Sequence, residues 1–290
     1  AFQPDLVQCF LAHANVLGAY AAHRAGIRPI VTGIRVAEQR FNGHAAMQRW
    51  VAPLVDRQVC VSQSVANFAE RVMRLPSEQL VVIPNGIDVD RYTTVIPLPL
   101  AELGITPDRR IILWIGRLEA DKRPMWLVDR FAEIAHRLPQ HDMVVAGRGP
   151  LRDRLEQHAQ ELGVEDRVHF VDWRPDVPRL LAAADLLVLT SAAEGMSNVV
   201  LEAMASARPV VATDVHGIQE QFGDDHAGQI TPADDPRAFV DAVARIVGDP
   251  NLAHQLGQRN RARVGSEFSI GQTVARYATL YDSLLVPKNR

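Results

Sequence analysis

The chain has 290 residues, with 31 basic against 34 acidic side chains and a formal net charge of −3. That length suits one large or two medium domains with a real core, and a hydrophobic fraction of 47% with 22% charged residues excludes a disordered or fibrous chain. Near-neutral charge removes the simplest case for a nucleic-acid binder, which needs a clustered positive surface.

The opening segment, AFQPDLVQCFLAHAN, has no basic region before its apolar stretch and no small-residue cleavage pattern, so it does not read as a signal peptide. Lacking an initiating Met, it reads as the start of a trimmed chain or internal fragment. No stretch reaches the ~20 apolar residues that span a bilayer. DLVQCFL, RPIVTGI, RQVCVS and QLVVIP predict strands, separated by helices over NVLGAYAAHRAG, around HAAMQRWVAPLV and over SVANFAERVMRL. Cys9 and Cys60 fall in these strands and read as buried free thiols of a reducing compartment. Residues 93–108 carry three prolines and a glycine and read as irregular crossing chain.

A second alternating series follows. RIILWIG, DMVVAG, RVHFV, DLLVLT and PVVAT predict strands, with helices over about Pro124–Leu138, Leu151–Leu162, DVPRLLAAA and Asn198–Ala207 between them. The chain ends in helices near Pro236–Val247, Asn251–Val264 and Ile270–Leu285. Short apolar strands alternating with amphipathic helices predict parallel sheets covered on both faces. The expected fold is therefore α/β with two Rossmann-like domains, the first incomplete: a partial domain over 1–84, a linker over 85–108, a complete domain over 109–265 and a terminal helix over 266–290. In that helix Val274, Tyr277, Ala278, Tyr281, Leu284 and Leu285 make a stripe suited to burial.

Open parallel sheets bind ligands beyond the carboxyl ends of their strands, so polar residues just after strands are the candidates. After RIILWIG, Gly116 leads into a loop holding Arg117 and Lys122, with Pro124 placed for the first helical turn. Lys122 and Lys288 are the only lysines in the chain. Two cations beside a helix amino terminus suit a diphosphate; the alternative is a solvated loop in which they pair with Glu119 and Asp121. After DLLVLT come Glu194, Gly195 and Met196, and then a helix that Ser197 or Asn198 could cap. The N–H groups of Ser197, Asn198 and Val199 would favour an anion. Glu194 and Glu202 could take hydrogen bonds from sugar hydroxyls, or could be a surface residue and a helix-dipole partner. Gly147 and Gly149 in VVAGRGPL lack the third glycine of a dinucleotide fingerprint and read as a tight turn near a ligand. His13, His23, His44, His216 and His226 have no metal-ligand spacing. His13 alone follows a strand and so stands at a cleft edge.

VIPNGIDVDRY at 82–92, IGRLEADKRP at 115–124, VAGRGPLRDRL at 145–155 and EGMSNVVLEAMASARPVVAT at 194–213 occur in one order and spacing. Together they resemble glycosyltransferase family 4, retaining enzymes with the two-domain GT-B architecture. The resemblance implies that Arg117 and Lys122 hold and stabilise the departing diphosphate of a nucleotide-sugar donor. It implies that Glu194 contacts the transferred sugar and Glu202 the ribose hydroxyls. The amides of Ser197, Asn198 and Val199 would meet phosphate, and Gly149 and Val171 would line the base and ribose pocket. Gly116, Gly195 and Met196 belong to the same donor site, and Arg117, Lys122 and Glu194 form the catalytic set. No metal and no cofactor beyond the donor is implied. The acceptor would be a glycan or a lipid-linked glycan in cell-surface polysaccharide or glycolipid synthesis. The setting would be cytoplasmic, with peripheral contact at the inner face of the cytoplasmic membrane left open by the +3 charge of residues 1–84. The terminal helix would return to the first domain. Two departures stand out: the front of the first domain is missing, and Arg35 occupies a place where many relatives carry histidine, leaving His13 as a candidate substitute. A nucleotide-sugar-binding module without transfer and a sugar-nucleotide epimerase of the same fold are the alternatives.

Overall fold

The computed structural model describes residues 3–37, 42–224 and 226–285. Lys288 and the side chain of His44 lie outside the described residues. The chain divides into two compact units, Ala1–Gly86 with Ala193–Met196 and Ile270–Arg290, and Ile87–Ala192 with Ser197–Ser269.

The first unit holds a parallel sheet of β1 (Val7–Gln8), β2 (Ile30–Ile34), β3 (Arg57–Cys60) and β4 (Leu80–Val82), in that order. Helices α1 (Ala12–Arg24), α2 (Asn42–Val51) and α3 (Gln63–Arg71) connect them. β2 is buried along its whole length, as a strand covered on both faces must be. One face packs against Val16, Ala19 and Ala22 of α1 together with Val51 and Val55. The other packs against Leu280, Tyr277 and Tyr281 of the last helix, Ile270–Leu285. That helix is tied to the sheet by Tyr281 Oη, which donates to Gln8 Oε1 at 2.7 Å, and by Thr273 Oγ1, which donates to the Pro84 carbonyl. Asn15 on α1 is buried, and its amide exchanges hydrogen bonds with both backbone groups of Gly33. Ser62 caps α3 by accepting from the Val65 N–H. Cys9 and Cys60 are buried free thiols, and burial pushes the Cys60 thiol up to about 12.

The second unit has a six-stranded parallel sheet: β5 (Arg110–Ile115), β6 (His141–Ala146), β7 (Val168–Val171), β8 (Leu186–Leu189), β9 (Val210–Thr213) and β10 (Ile230–Thr231). The order β10-β9-β8-β5-β6-β7 is doubly wound. The chain runs outward from β5 in one direction and then returns to β8 to run outward in the other, so the topological switch lies between β5 and β8. Helices α4 (Pro124–Arg137), α5 (Arg152–Glu161), α6 (Val177–Ala183), α7 (Asn198–Ala205), α8 (Ile218–Phe222), α9 (Pro236–Gly248) and α10 (Pro250–Glu267) cover it. Trp114, Phe131 and Phe239 are the largest fully buried side chains. Two elements escape the sequence reading, the five-residue α8 and the two-residue β10; both are too short to show a period. The segment after Gly86 packs with this unit, forms 3-10 turns at Val89–Tyr92 and Leu100–Leu103, and buries Leu98 and Ile105.

Candidate active site

The switch point places two stretches of the second unit side by side, the loop after β5 and the end of β8. The first, after β5, holds Gly116, Arg117 and Lys122, with a 3-10 turn at Ala120–Lys122 and Pro124 opening α4. Arg117 pairs with Glu119 at 2.8 Å and Asp121 at 3.7 Å, and Lys122 Nζ lies 3.8 Å from Asp121. Both cations therefore already face carboxylates of their own loop. The backbone of this loop is fixed from β8. The Trp114 indole N–H donates to Thr190 Oγ1 at 3.2 Å, and Thr190 Oγ1 donates to the Lys122 carbonyl at 2.9 Å. The Ala192 N–H adds a bond to the Asp121 carbonyl at 2.7 Å. Trp114 and Thr190 are both buried, so this relay holds Lys122 by groups that water cannot replace.

Gly149 and Val171 belong to the neighbouring strand ends. A Cβ at Gly149 would overlap the Leu118 carbonyl, and one at Gly147 would overlap the Gly116 carbonyl. The Leu118 N–H bonds the Arg148 carbonyl, and the Gly147 N–H bonds the Val171 carbonyl. The glycines are thus required by the approach of one strand-end loop to the next, a cause internal to the protein. The sequence reading assigned that tightness to a ligand.

The second loop runs from β8 into α7. Ser197 stands at the N-cap but makes no side-chain cap bond, contrary to the capping expected from its sequence position. Its N–H is also not directed at a ligand: Gln221 Oε1 accepts it at 3.1 Å, and Gln221 Nε2 donates to the Ser197 carbonyl at 2.8 Å. Gln221 comes from α8 and is fully buried. Asn198 and Val199 occupy the first turn, where a helix offers its amides no internal acceptor.

Glu202 sits further along α7, largely removed from water. Burial pushes its carboxyl up to about 7, against smaller opposing effects from a hydrogen bond to Tyr92 and the charge of Arg91. Tyr92 is itself buried, and burial with the adjacent Glu202 raises its phenol. Tyr92 and Arg91 are missing from the sequence-based site, although both lie inside the segment VIPNGIDVDRY. Nothing local in that string shows that a 3-10 turn packs against α7.

Glu194, Gly195 and Met196 pack with the first unit. A Cβ on Gly195 would overlap the Arg35 carbonyl, so close approach, and not an unusual backbone angle, explains this glycine. Arg35 Nη2 donates to Asn85 Oδ1 at 2.7 Å. Asn85 donates its amide to the Met196 carbonyl at 3.2 Å and its backbone N–H to Met196 Sδ at 3.3 Å. Beside them lies a cavity of about 220 Å³ lined by Leu11, Ile34, Arg35, Gln48, Phe68 and Met73, among others. His13 is exposed in the first turn of α1 and does not line that cavity. Among the described residues no group of three or more His, Cys, Asp or Glu is arranged to hold a metal, and no helix is long and apolar enough to cross a membrane.

Residues 1–91 match the profile described as Glycosyltransferase Family 4, and residues 109–249 match that described as Glycosyl transferases group 1. The alpha-D-kanosaminyltransferase of Streptomyces kanamyceticus is 30% identical over 290 residues, covering 97% of this chain and 73% of that protein. The chain belongs to glycosyltransferase family 4. The Escherichia coli UDP-Gal:alpha-D-GlcNAc-diphosphoundecaprenol alpha-1,3-galactosyltransferase is 24% identical, over 98% of this chain and 76% of that one. Among solved structures, Anabaena HepE in complex with UDP and glucose superimposes with a TM-score of 0.88 at 25% identity, over 97% of this chain and 78% of HepE. The two parallel-sheet units are the two Rossmann-like domains of the GT-B class. Membership makes the protein a glycosyltransferase acting with a nucleotide-sugar donor.

Proposed function

We propose that this glycosyltransferase binds a uridine diphosphate sugar through Arg117, Lys122 and Glu202 and transfers the sugar, with retention, to a lipid-linked or glycan acceptor. The observation that carries the donor assignment is the Arg117–Lys122 loop held against the end of β8, the strand that leads into α7, at the switch point of one sheet. Uridine is favoured because the E. coli relative is named for UDP-Gal and HepE binds UDP. Breaking the sugar–phosphate bond builds charge on the diphosphate, and fixed cations with helix amides offset it. Arg117 and Lys122 supply that neutralisation without a metal. A double displacement would need a carboxylate at the anomeric carbon; with none assigned, front-face substitution assisted by the leaving group is the preferred route.

An amphipathic acceptor agrees with the outer face of α1 and α2. Leu17 is 70% exposed and Trp50 63%, and Trp50 stacks on Tyr20 at 5.8 Å. His23, Arg24 and Arg49 lie exposed on the same two helices. An exposed aromatic pair on helices that also carry basic groups suits an anionic lipid surface, which supports peripheral membrane contact through this face. Co-sedimentation with phosphatidylglycerol vesicles should be lost in Trp50→Glu; equal retention would remove the membrane from this account.

The test of the donor reading is a calorimetric titration with UDP, GDP and ADP, with and without EDTA. Saturable UDP binding that survives EDTA and is lost in Glu202→Ala supports it. A preference for GDP or ADP, or binding that needs a metal, would overturn the uridine or the metal-free assignment respectively.

A further inference from the structure

The first sheet brings Arg35 and Asn85 to one edge. Arg35 follows β2 and Asn85 follows β4, with β3 between them. Alternate strands of a sheet lie about 10 Å apart, a gap that a long guanidinium bridges and an imidazole does not. The bond Arg35 makes across it, 2.7 Å to Asn85 Oδ1, is short and charge-assisted. Asn85 donates twice to one residue: its side-chain amide to the Met196 carbonyl and its backbone N–H to Met196 Sδ. Meanwhile the Arg35 carbonyl presses on the Gly195 Cα, closely enough that no side chain fits there. Two consecutive residues, Gly195 and Met196, are therefore held from both ends of a single Arg–Asn pair. The residue before them is Glu194.

We infer that Arg35 and Asn85 form a clasp that fixes the Glu194 turn, making Asn85 a positioning residue for recognition of the donor's sugar. The inference rests on the proposed donor reading, in which Glu194 meets the sugar. A carboxylate that recognises hydroxyls must be held to within about half an ångström, and a turn held only by its chain ends does not provide that. The clasp also gives Arg35 a use of its own in place of the family's histidine: its guanidinium donates to Asn85.

The distinction from a merely structural tie lies in comparing two ligands. Titrations of the unmutated chain, Asn85→Ala and Gly195→Ala use UDP and whichever of UDP-glucose and UDP-galactose the unmutated chain binds more tightly. The expected result is UDP affinity within about threefold of the unmutated chain and sugar-nucleotide affinity reduced about tenfold, the effect of losing one good hydrogen bond. Gly195→Ala displaces the turn without touching Asn85, so it serves where thermal melting shows that Asn85→Ala is unfolded. Equal loss for both ligands, or no loss for either, overturns the clasp while leaving the donor reading intact. If the unmutated chain binds neither UDP nor a sugar nucleotide, the donor reading fails and the clasp with it.

Discussion

Glu202→Gln removes a carboxylate whose charge is costly in the folded protein. Its carboxyl is raised from an ordinary 4.5 to about 7, with burial as the first cause. Because the folded value lies above the unfolded one, the native state holds a proton that the unfolded state has lost between these pH values. Stability therefore falls as pH rises through that window, and the full penalty is present above about pH 7. A shift of this size corresponds to roughly 3 kcal/mol. Glutamine keeps an oxygen to accept from Tyr92 and carries no charge, so it escapes the penalty. The expected result at pH 8 is a variant more stable by roughly 3 kcal/mol, which raises the melting temperature by about 5–10 °C. At pH 4.5 the two proteins should melt together. The same substitution should weaken UDP binding at least tenfold, because a ribose diol donates better to a carboxylate than to an amide. Thermal melts of both proteins at the two pH values, with UDP titrations at pH 8, decide the matter. Equal stability at pH 8, or an offset that does not change with pH, would refute the burial argument. Loss of affinity for UDP and its 2′-deoxy analogue in equal measure would refute the ribose assignment.

Lys122→Ala should lower UDP affinity by tenfold or more and abolish transfer, since a half-buried ammonium next to a diphosphate is not replaced by water; unchanged affinity in calorimetry would remove the clamp. Glu119→Gln should act in the opposite direction, strengthening UDP binding by up to about fivefold at low salt, because an exposed partner of Arg117 no longer competes with phosphate; a loss of affinity would show that Glu119 orients Arg117. Thr190→Val leaves a buried indole N–H and the Lys122 carbonyl unsatisfied and should cost about 2–4 kcal/mol in denaturant melts, whereas Thr190→Ser keeps the relay and should cost about 1. Valine tolerated better than serine would mean that packing, and not the relay, governs that position.

The sequence shows the sheets plainly because their strands are buried on both faces. RIILWIG and DLLVLT leave no alternative to a covered parallel strand, and the loops after them contain the cations and the α7 start beyond the carboxyl ends of the strands, where open parallel sheets take ligands. What it does not show lies in partners distant along the chain. Gln221 takes both backbone groups of Ser197 from 24 positions away, out of a helix too short to recognise. Tyr92 and Asn85 both lie within a segment that resembles the family. Their roles depend on α7 and on Met196, which the segment itself does not contain. The glycines at 147 and 149 read correctly as a tight place, but their neighbours, like that of Gly195, are carbonyls of this chain.

Taken together, the charges around the proposed donor site are close to internal neutrality. Arg117 and Lys122 face Glu119 and Asp121, and Glu202 is displaced toward its protonated form. Donor binding would exchange one set of partners for another: phosphate oxygens for the loop carboxylates, ribose hydroxyls for the Glu202 proton. If Glu202 must be ionised to accept from the ribose, binding below its pKa releases a proton, and UDP affinity falls toward tenfold per pH unit on the acid side of about 7. The nucleotide's own phosphate titrates near 6 and is present in every variant. Only the component lost in Glu202→Gln belongs to the protein. Calorimetry in buffers of different ionisation enthalpy at pH 6 separates them: the unmutated chain should release more protons than Glu202→Gln. Identical proton release would mean that the carboxylate binds ribose without changing its protonation, and that burial of Glu202 serves the packing of α7 and not the donor.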